Sequence, residues 1–145
     1  MPESAPAEWP LRVRYAETDQ MRVAHHANYF IWFEAARSEF CRVNALNYSA
    51  LEAAGYSMPV VEARCRYMKP ARYDDELVVR VIVAEVTSRI VKFEYSVHRG
   101  TETLAVGETR QVLLDHAGLT VRFPAELRAL FAAIKPVGGE QDAAD

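Results

Sequence analysis

Residues 28–46 read Asn-Tyr-Phe-Ile-Trp-Phe-Glu-Ala-Ala-Arg-Ser-Glu-Phe-Cys-Arg-Val-Asn-Ala-Leu. Tyr29, Trp32, Phe33, Ala36, Phe40 and Val43 recur at spacings of three and four, the period of an α-helix. The first half, Tyr29-Phe30-Ile31-Trp32-Phe33, is apolar on every face. A helix without a polar stripe has to be wrapped by other elements rather than laid on a surface. On either side the period changes to two. Leu11, Val13 and Tyr15 alternate with Arg12 and Arg14, which predicts a strand over 11–15. After the long helix, Ser49 with Glu52 three residues on and Gly55 beyond predict a short capped helix over 49–54. Strands follow. Val61, Ala63, Cys65 and Tyr67 share one face, while Glu62, Arg64, Arg66 and Met68 share the other. Residues 77–86 are Val-rich and nearly continuously apolar, as in a central strand covered on both faces or at an interface. Val91, Phe93, Tyr95 and Val97 alternate with Lys92, Glu94, Ser96 and His98, and a weaker alternation runs over 103–114. Pro124 opens a final helix over 125–134. Short connections between successive strands imply antiparallel pairing, and one long apolar helix beside them implies an α+β fold.

Half of the 145 residues are hydrophobic and 26% are charged, which excludes disordered, collagen-like and coiled-coil chains. This length makes one domain. We expect it over 11–135, between flexible tails at 1–10, which hold three prolines, and 136–145, which read Pro-Val-Gly-Gly-Glu-Gln-Asp-Ala-Ala-Asp. A balance of 17 basic against 20 acidic residues gives −3, so no general attraction to nucleic acid or anionic lipid is expected. The N-terminus shows neither the basic nor the apolar region of a signal peptide, and no run approaches the roughly 18 apolar residues of a membrane span. A cytoplasmic protein without membrane insertion is the expectation. Cys41 and Cys65 form no C-x-x-C pair and have no second Cys or His at metal-ligand spacing. Both read as buried small hydrophobes in a reducing compartment.

Several familiar sites are missing. The chain has no Gly-rich phosphate loop and no G-x-S-x-G elbow. Adjacent His25 and His26 diverge in direction and cannot clamp one metal, and no H-x-x-x-H occurs, so no metal site is expected. The informative segment is Tyr15-Ala16-Glu17-Thr18-Asp19-Gln20-Met21-Arg22-Val23-Ala24-His25-His26-Ala27-Asn28-Tyr29, a carboxylate-bearing polar loop running into the long helix. A helix N-terminus presents unpaired N–H groups and the positive end of the macrodipole. A carbonyl oxygen placed there is polarised as in an oxyanion hole. Asp19 beside it supplies a base or nucleophile to the same carbon. The plainer alternative is that Asp19 or Asn28 simply caps the helix.

The run from Tyr15 to Arg37 resembles the signature of the 4-hydroxybenzoyl-CoA thioesterase-like acyl-CoA thioesterases, which have the hotdog fold. The resemblance lies in the aromatic residue before Thr18-Asp19, the paired histidines, Asn28-Tyr29 and Trp32-Phe33-Glu34-Ala35-Ala36-Arg37. A second block, Met58-Pro59-Val60-Val61-Glu62-Ala63 through Tyr67-Met68-Lys69-Pro70-Ala71-Arg72-Tyr73-Asp74-Asp75, is similar to the same family's second strand and its exit turn. The resemblance spans residues 11–134. It implies an antiparallel sheet of about five strands wrapped around one long central helix. It further implies a homodimer with continuous sheets, often a homotetramer, with active sites at the dimer interface. The implied activity is hydrolysis of an acyl-CoA thioester, needing no cofactor and no metal. Asp19 falls on the family's catalytic carboxylate, as nucleophile or general base. His26 falls where a backbone N–H polarises the thioester carbonyl, and Tyr29 would line the acyl pocket. Thr87, Ser88 and Arg89 match the turn where relatives contact the CoA nucleotide.

One position departs from the pattern. Arg22 stands where the family usually has Gly, which permits positive φ and close backbone approach. Arg22 either bends the loop differently, offers a cation to a substrate carboxylate or CoA phosphate, or is a solvated loop arginine. Glu34 and Arg37, one turn apart on a wrapped helix, need buried partners and read as structural anchors. Pro70 with Asp74-Asp75, and Asp115-His116-Ala117-Gly118, read as turns. Two further readings are a non-catalytic acyl-CoA-binding hotdog module and an acyl dehydratase or hydratase. The second lacks the His-Phe-Pro signature of that class.

Overall fold

The computed structural model describes residues 7–44, 46 and 48–134. The expected tails at 1–6 and 136–145, and residue 135 of the expected domain, lie outside the described residues. Five antiparallel strands form one sheet: β1 (Ala7–Arg12), β2 (Val60–Tyr67), β3 (Glu76–Val86), β4 (Val91–Arg99) and β5 (Glu102–Gln111). Their spatial order is β1-β3-β4-β5-β2. Helix α1 (Asn28–Val43) lies across one face, followed by α2 (Tyr48–Ala53). A two-residue ribbon of β6 (Leu113–Leu114) and β7 (Thr120–Val121) leads into α3 (Ala125–Ile134). The expected α+β hotdog architecture is what the chain adopts.

The core is the inner face of the sheet against α1. Leu77, Val79, Val81 and Val83 of β3 and Phe93, Tyr95 and Val97 of β4 are buried against Tyr29, Trp32, Phe33, Ala36 and Phe40. Phe33 stacks flat on Tyr95, with ring centroids 4.4 Å apart and planes at 10°. It gets that close because Gly107 of β5 has no side chain: a Cβ there would sit 2.5 Å from Phe33 Cε2 and 2.7 Å from the Arg64 carbonyl oxygen. The Arg37 guanidinium donates to the Tyr95 hydroxyl at 2.9 Å, and that hydroxyl shares a 2.6 Å bond with Thr109 Oγ1. Arg37 is thus an anchor, as expected, whereas Glu34 is exposed.

Several boundaries differ from expectation. The first strand runs over Ala7–Arg12 rather than 11–15, so residues 7–10, read as tail, pair with Val78–Val81 of β3. Two prolines nearby obscured it, but a proline on an edge strand breaks no ladder. Ser49 lies inside α2 rather than capping it. The segment 103–114 is two strands, β5 and β6, broken at Val112. The turn beyond β6 forms as read: Asp115 Oδ1 accepts the N–H groups of Ala117 and Leu119 at 2.9 and 3.0 Å, and Gly118 takes φ 81. The helix is not wrapped on every side within one chain, since Ile31 is 57% exposed. On β3 only one face is covered, with Arg80 and Glu85 open to solvent. Cys41 is buried as expected, but Cys65, on the β2 edge, is only half buried. Among the described residues no helix is long and apolar enough to cross a membrane.

Gly107→Ala pushes a methyl into the Phe33 ring and the Arg64 backbone. Overpacking of this kind costs about 1–3 kcal/mol, so the midpoint of chemical denaturation falls accordingly. An unchanged midpoint would show that α1 can lift off the sheet freely.

Candidate active site

The loop between β1 and α1 is organised by Glu17, at the end of a 3-10 turn over Tyr15–Glu17. Its residue is only 6% exposed, and a buried carboxylate needs its lone pairs filled. Oε1 accepts the Arg14 backbone N–H at 2.8 Å; Oε2 accepts the Trp32 indole N–H at 3.1 Å and the Arg14 guanidinium at 3.3 Å. Burial pushes this carboxyl's pKa up, but the Arg14 N–H, the Trp32 indole and the Arg14 charge outweigh it and hold it below 4.5. The Glu17 carbonyl in turn accepts the His25 N–H at 2.7 Å and the Asn28 side-chain amide at 2.8 Å. One residue therefore ties the loop to the first and second turns of α1.

Beyond Glu17 the chain doubles back, closed by an antiparallel bridge between Thr18 and Ala24. The Asp19 N–H donates to the Val23 carbonyl and the Arg22 N–H to the Asp19 carbonyl, both at 2.9 Å. Asp19 Oδ1 accepts the Met21 N–H at 2.8 Å. Its second oxygen has no hydrogen-bond partner among the described residues. Arg22 does take φ 67, so the loop keeps the bend a glycine would give it, at a strain of about 1–2 kcal/mol. The Arg22 side chain is exposed and unpartnered among the described residues, which fits a solvated loop arginine.

Neither Asp19 nor Asn28 caps the helix. Ala27 is the N-cap and supplies no side-chain bond. The neighbouring N–H groups are spoken for: His25 to Glu17, Ala27 to His25 Nδ1 at 3.2 Å, Asn28 to the His25 carbonyl and Tyr29 to the His26 carbonyl. The His26 N–H has no partner among the described residues. The Tyr67 hydroxyl of β2 donates to the His26 carbonyl at 3.0 Å, fixing the next peptide. Burial, then the Cys65 thiol, raises the Tyr67 pKa, so at neutral pH it is a donor. The His25 and His26 rings do not diverge as expected; they stack with centroids 4.3 Å apart.

Three expected site residues lie away from the open side of this loop. Tyr29 is 2% exposed, packed between Trp32 at 4.6 Å and the edge of Tyr67 at 4.9 Å, so Tyr67 rather than Tyr29 faces the open side. Ser88 and Arg89 sit in the β3–β4 turn, where Ser88 accepts the Phe123 N–H at 2.8 Å. β1 ends opposite Glu76, at the other end of β3, and the Asp19 loop is tied near there by the Ala24 N–H to the Ala71 carbonyl, so the strand's 11 residues separate the two places by roughly 35 Å. Within one chain they do not meet. Ser88 instead borders a depression of about 440 Å³ with Arg122 and Arg128, two cations that sequence reasoning passed over. Glu17 and Tyr67 were also missed. Their partners are 15 and 41 residues away, so no local spacing announces them.

The chain matches the thioesterase-like superfamily over residues 13–131. An acyl-CoA thioesterase, YbgC of Haemophilus influenzae, is 33% identical over 129 residues, 88% of this chain and 95% of the relative. An acyl-CoA thioester hydrolase, YbgC of Escherichia coli O6:H1, is 33% identical over 105 residues, 68% of this chain and 78% of the relative. The crystal structure of hypothetical protein TT1821 from Thermus thermophilus superposes with a TM-score of 0.83 at 37% identity, over 88% of this chain and 98% of that one. The chain belongs to the thioesterase-like superfamily, with the hotdog fold and the enzyme class of a thioester hydrolase.

Two outcomes follow for the loop. A carboxyl whose pKa is lowered by folding contributes stability above its unfolded value, lost as pH falls through the folded value. Stability should therefore drop as pH falls below about 4.5, and Glu17→Gln should flatten that part of the profile while costing about 1–3 kcal/mol at neutral pH. A profile identical in both proteins would remove Glu17 from the acid response. Arg22→Gly relieves strain and loses no contact, so its thermal midpoint should equal or exceed that of the wild type. A fall would mean that the Arg22 side chain contributes to stability.

Proposed function

We propose that the protein hydrolyses a short-chain or aromatic acyl-CoA thioester to the free acid and CoA. The reading rests above all on one observation: a carboxylate oxygen and, just ahead of α1, the His26 N–H, both without a partner among the described residues, stand on either side of the Thr18–Ala24 bridge. The thioester carbonyl oxygen accepts the His26 N–H, where the helix dipole favours the charge that develops in the tetrahedral transition state. Asp19 Oδ2 acts on the carbonyl carbon as nucleophile, or takes the proton of the water that does. The CoA thiolate leaves in either case. Tyr67 and Glu17 hold the two segments in place. Thioesters are reactive enough that the proposed route uses no cofactor or metal.

The proposed active unit is a homodimer. β2 is an edge strand with seven of its eight residues exposed, and Val60, Val61, Tyr67 and Met68 present apolar surface there. An edge of that kind invites pairing with another strand. A second copy added at β2 supplies what one chain cannot: a wall for the acyl group beside Tyr67, and Ser88 and Arg89 with Arg122 and Arg128 for CoA phosphates. Exposed Ile31 and Val43 on α1 support a further contact, as a homotetramer requires. The cytoplasm, where acyl-CoA is made and used, is the proposed location.

Asp19→Asn keeps an oxygen for the Met21 N–H but removes the charge. In a thiol-release assay over aliphatic and aromatic acyl-CoA substrates, kcat should fall by about 10²-fold or more with little change in thermal midpoint. Intact turnover in a destabilised variant would make Asp19 structural.

A further inference from the structure

The outer face of the sheet, away from α1, carries a second constellation of reactive groups. The pairing register sets Glu8, Arg80, Ser96, Val106 and Arg66 in one row across all five strands, at about 4.8 Å per step. Ser96 Oγ and His98 Nε2 are 2.7 Å apart, the separation of a nucleophile from its base, and His98 Nδ1 is 3.4 Å from Thr103 Oγ1 on β5. With the proton on Nδ1 shared with Thr103, Nε2 is free to accept from Ser96. Burial first, then the Arg80 charge, lowers the His98 pKa below 6.5 against the pull of Glu8, so the imidazole is neutral at pH 7. Arg80 is directly opposite Ser96 in the ladder, and its closest contact with Glu8 is made by Nε, at 3.0 Å. Ser96 opens into a concavity of about 800 Å³ with Ile82 and Val106 among its lining residues and Arg66 on its far side, a volume in the range of small-molecule sites.

We propose that Ser96 and His98 form a second, independent esterolytic site, for a carboxylic ester that carries an anionic group about 10 Å from its carbonyl. Ser96 Oγ bonds to the carbonyl carbon and its proton passes to His98 Nε2. The terminal nitrogens of Arg80 meet the resulting oxyanion. The carbon–oxygen bond to the alcohol then breaks, and the alcohol leaves with the proton from His98. Water attacks the acyl-Ser96 ester and gives one proton to His98, which returns it to Ser96 as the acid departs. The sum is ester plus water to acid plus alcohol. Ile82 and Val106 hold the apolar part, and Arg66, without an ion pair among the described residues, meets the anion.

The site does not depend on Asp19, which makes its test separate from that of the thioesterase reading. The intact protein is treated with a biotinylated alkyl fluorophosphonate at neutral pH, and the adduct is located by peptide mass spectrometry. The expected result is an adduct on Ser96, absent in Ser96→Ala and formed about tenfold or more slowly in His98→Gln, with thermal midpoints unchanged. Asp19→Asn should be labelled at the wild-type rate, and Ser96→Ala should release CoA from acyl-CoA at the wild-type rate. With mono-4-nitrophenyl azelate as substrate, Asp19→Asn should retain turnover that a further Ser96→Ala change abolishes. Arg66→Ala should raise KM about fivefold, roughly 1 kcal/mol, for this ester and not for 4-nitrophenyl butyrate. An unlabelled Ser96, or labelling indifferent to His98→Gln, overturns the proposal.

Discussion

Glu17 carries a negative charge into a place with almost no solvent, and the local structure is arranged around that fact. A lone carboxylate there would cost several kcal/mol; the Trp32 indole and the Arg14 backbone and side chain offset it. Trp32 belongs to α1 and Arg14 to the chain leaving β1, so satisfying the charge fixes the helix relative to the sheet's first edge. The Glu17 carbonyl then receives His25 and Asn28, which sets where α1 begins. The segments that carry Asp19 and His26 are thus tied together through Glu17.

The sheet has two faces with separate chemistries. Inside, aromatic stacking and the bare Gly107 backbone let the helix come close. Outside, polar side chains pair across and along strands: Glu8 with Arg80, Lys92 with Glu94 and Glu108, and Arg110 with Glu62 and Glu108. The more exposed of these pairs contribute little each. They do give the outer face a fixed register of charges, and Ser96 and His98 sit in the middle of it.

Much of the fold was legible in sequence because it rests on periodicity. The helical spacing from Tyr29 to Phe40 and the strict alternation from Val91 to His98 are local signals, and both elements formed where expected. What sequence missed depends on contacts distant along the chain. The pairing of Ala7–Pro10 with β3 is decided by an edge partner some seventy residues on, and no local pattern encodes it. That the Asp19 loop runs into the start of α1 was readable because loop and helix terminus are adjacent in sequence. Tyr67 and Glu17 were not, since each acts through a residue elsewhere. Ser88 and Arg89, singled out by a family position, lie at the far end of β3 from Asp19, because a sequence match carries no information about distance in the fold. Arg22 teaches the converse: a non-glycine residue there still takes φ 67, a conformation glycine adopts freely.

Strand β4 alternates between the two faces along its whole length, with Phe93, Tyr95 and Val97 inward and Glu94, Ser96 and His98 outward. Gaining or losing a single residue there would turn every aromatic ring toward water and every charged group toward the core. Length variation among descendants of this sequence is therefore shut out of the sheet's centre and confined to turns such as 115–118, where an added residue lengthens a loop and inverts nothing.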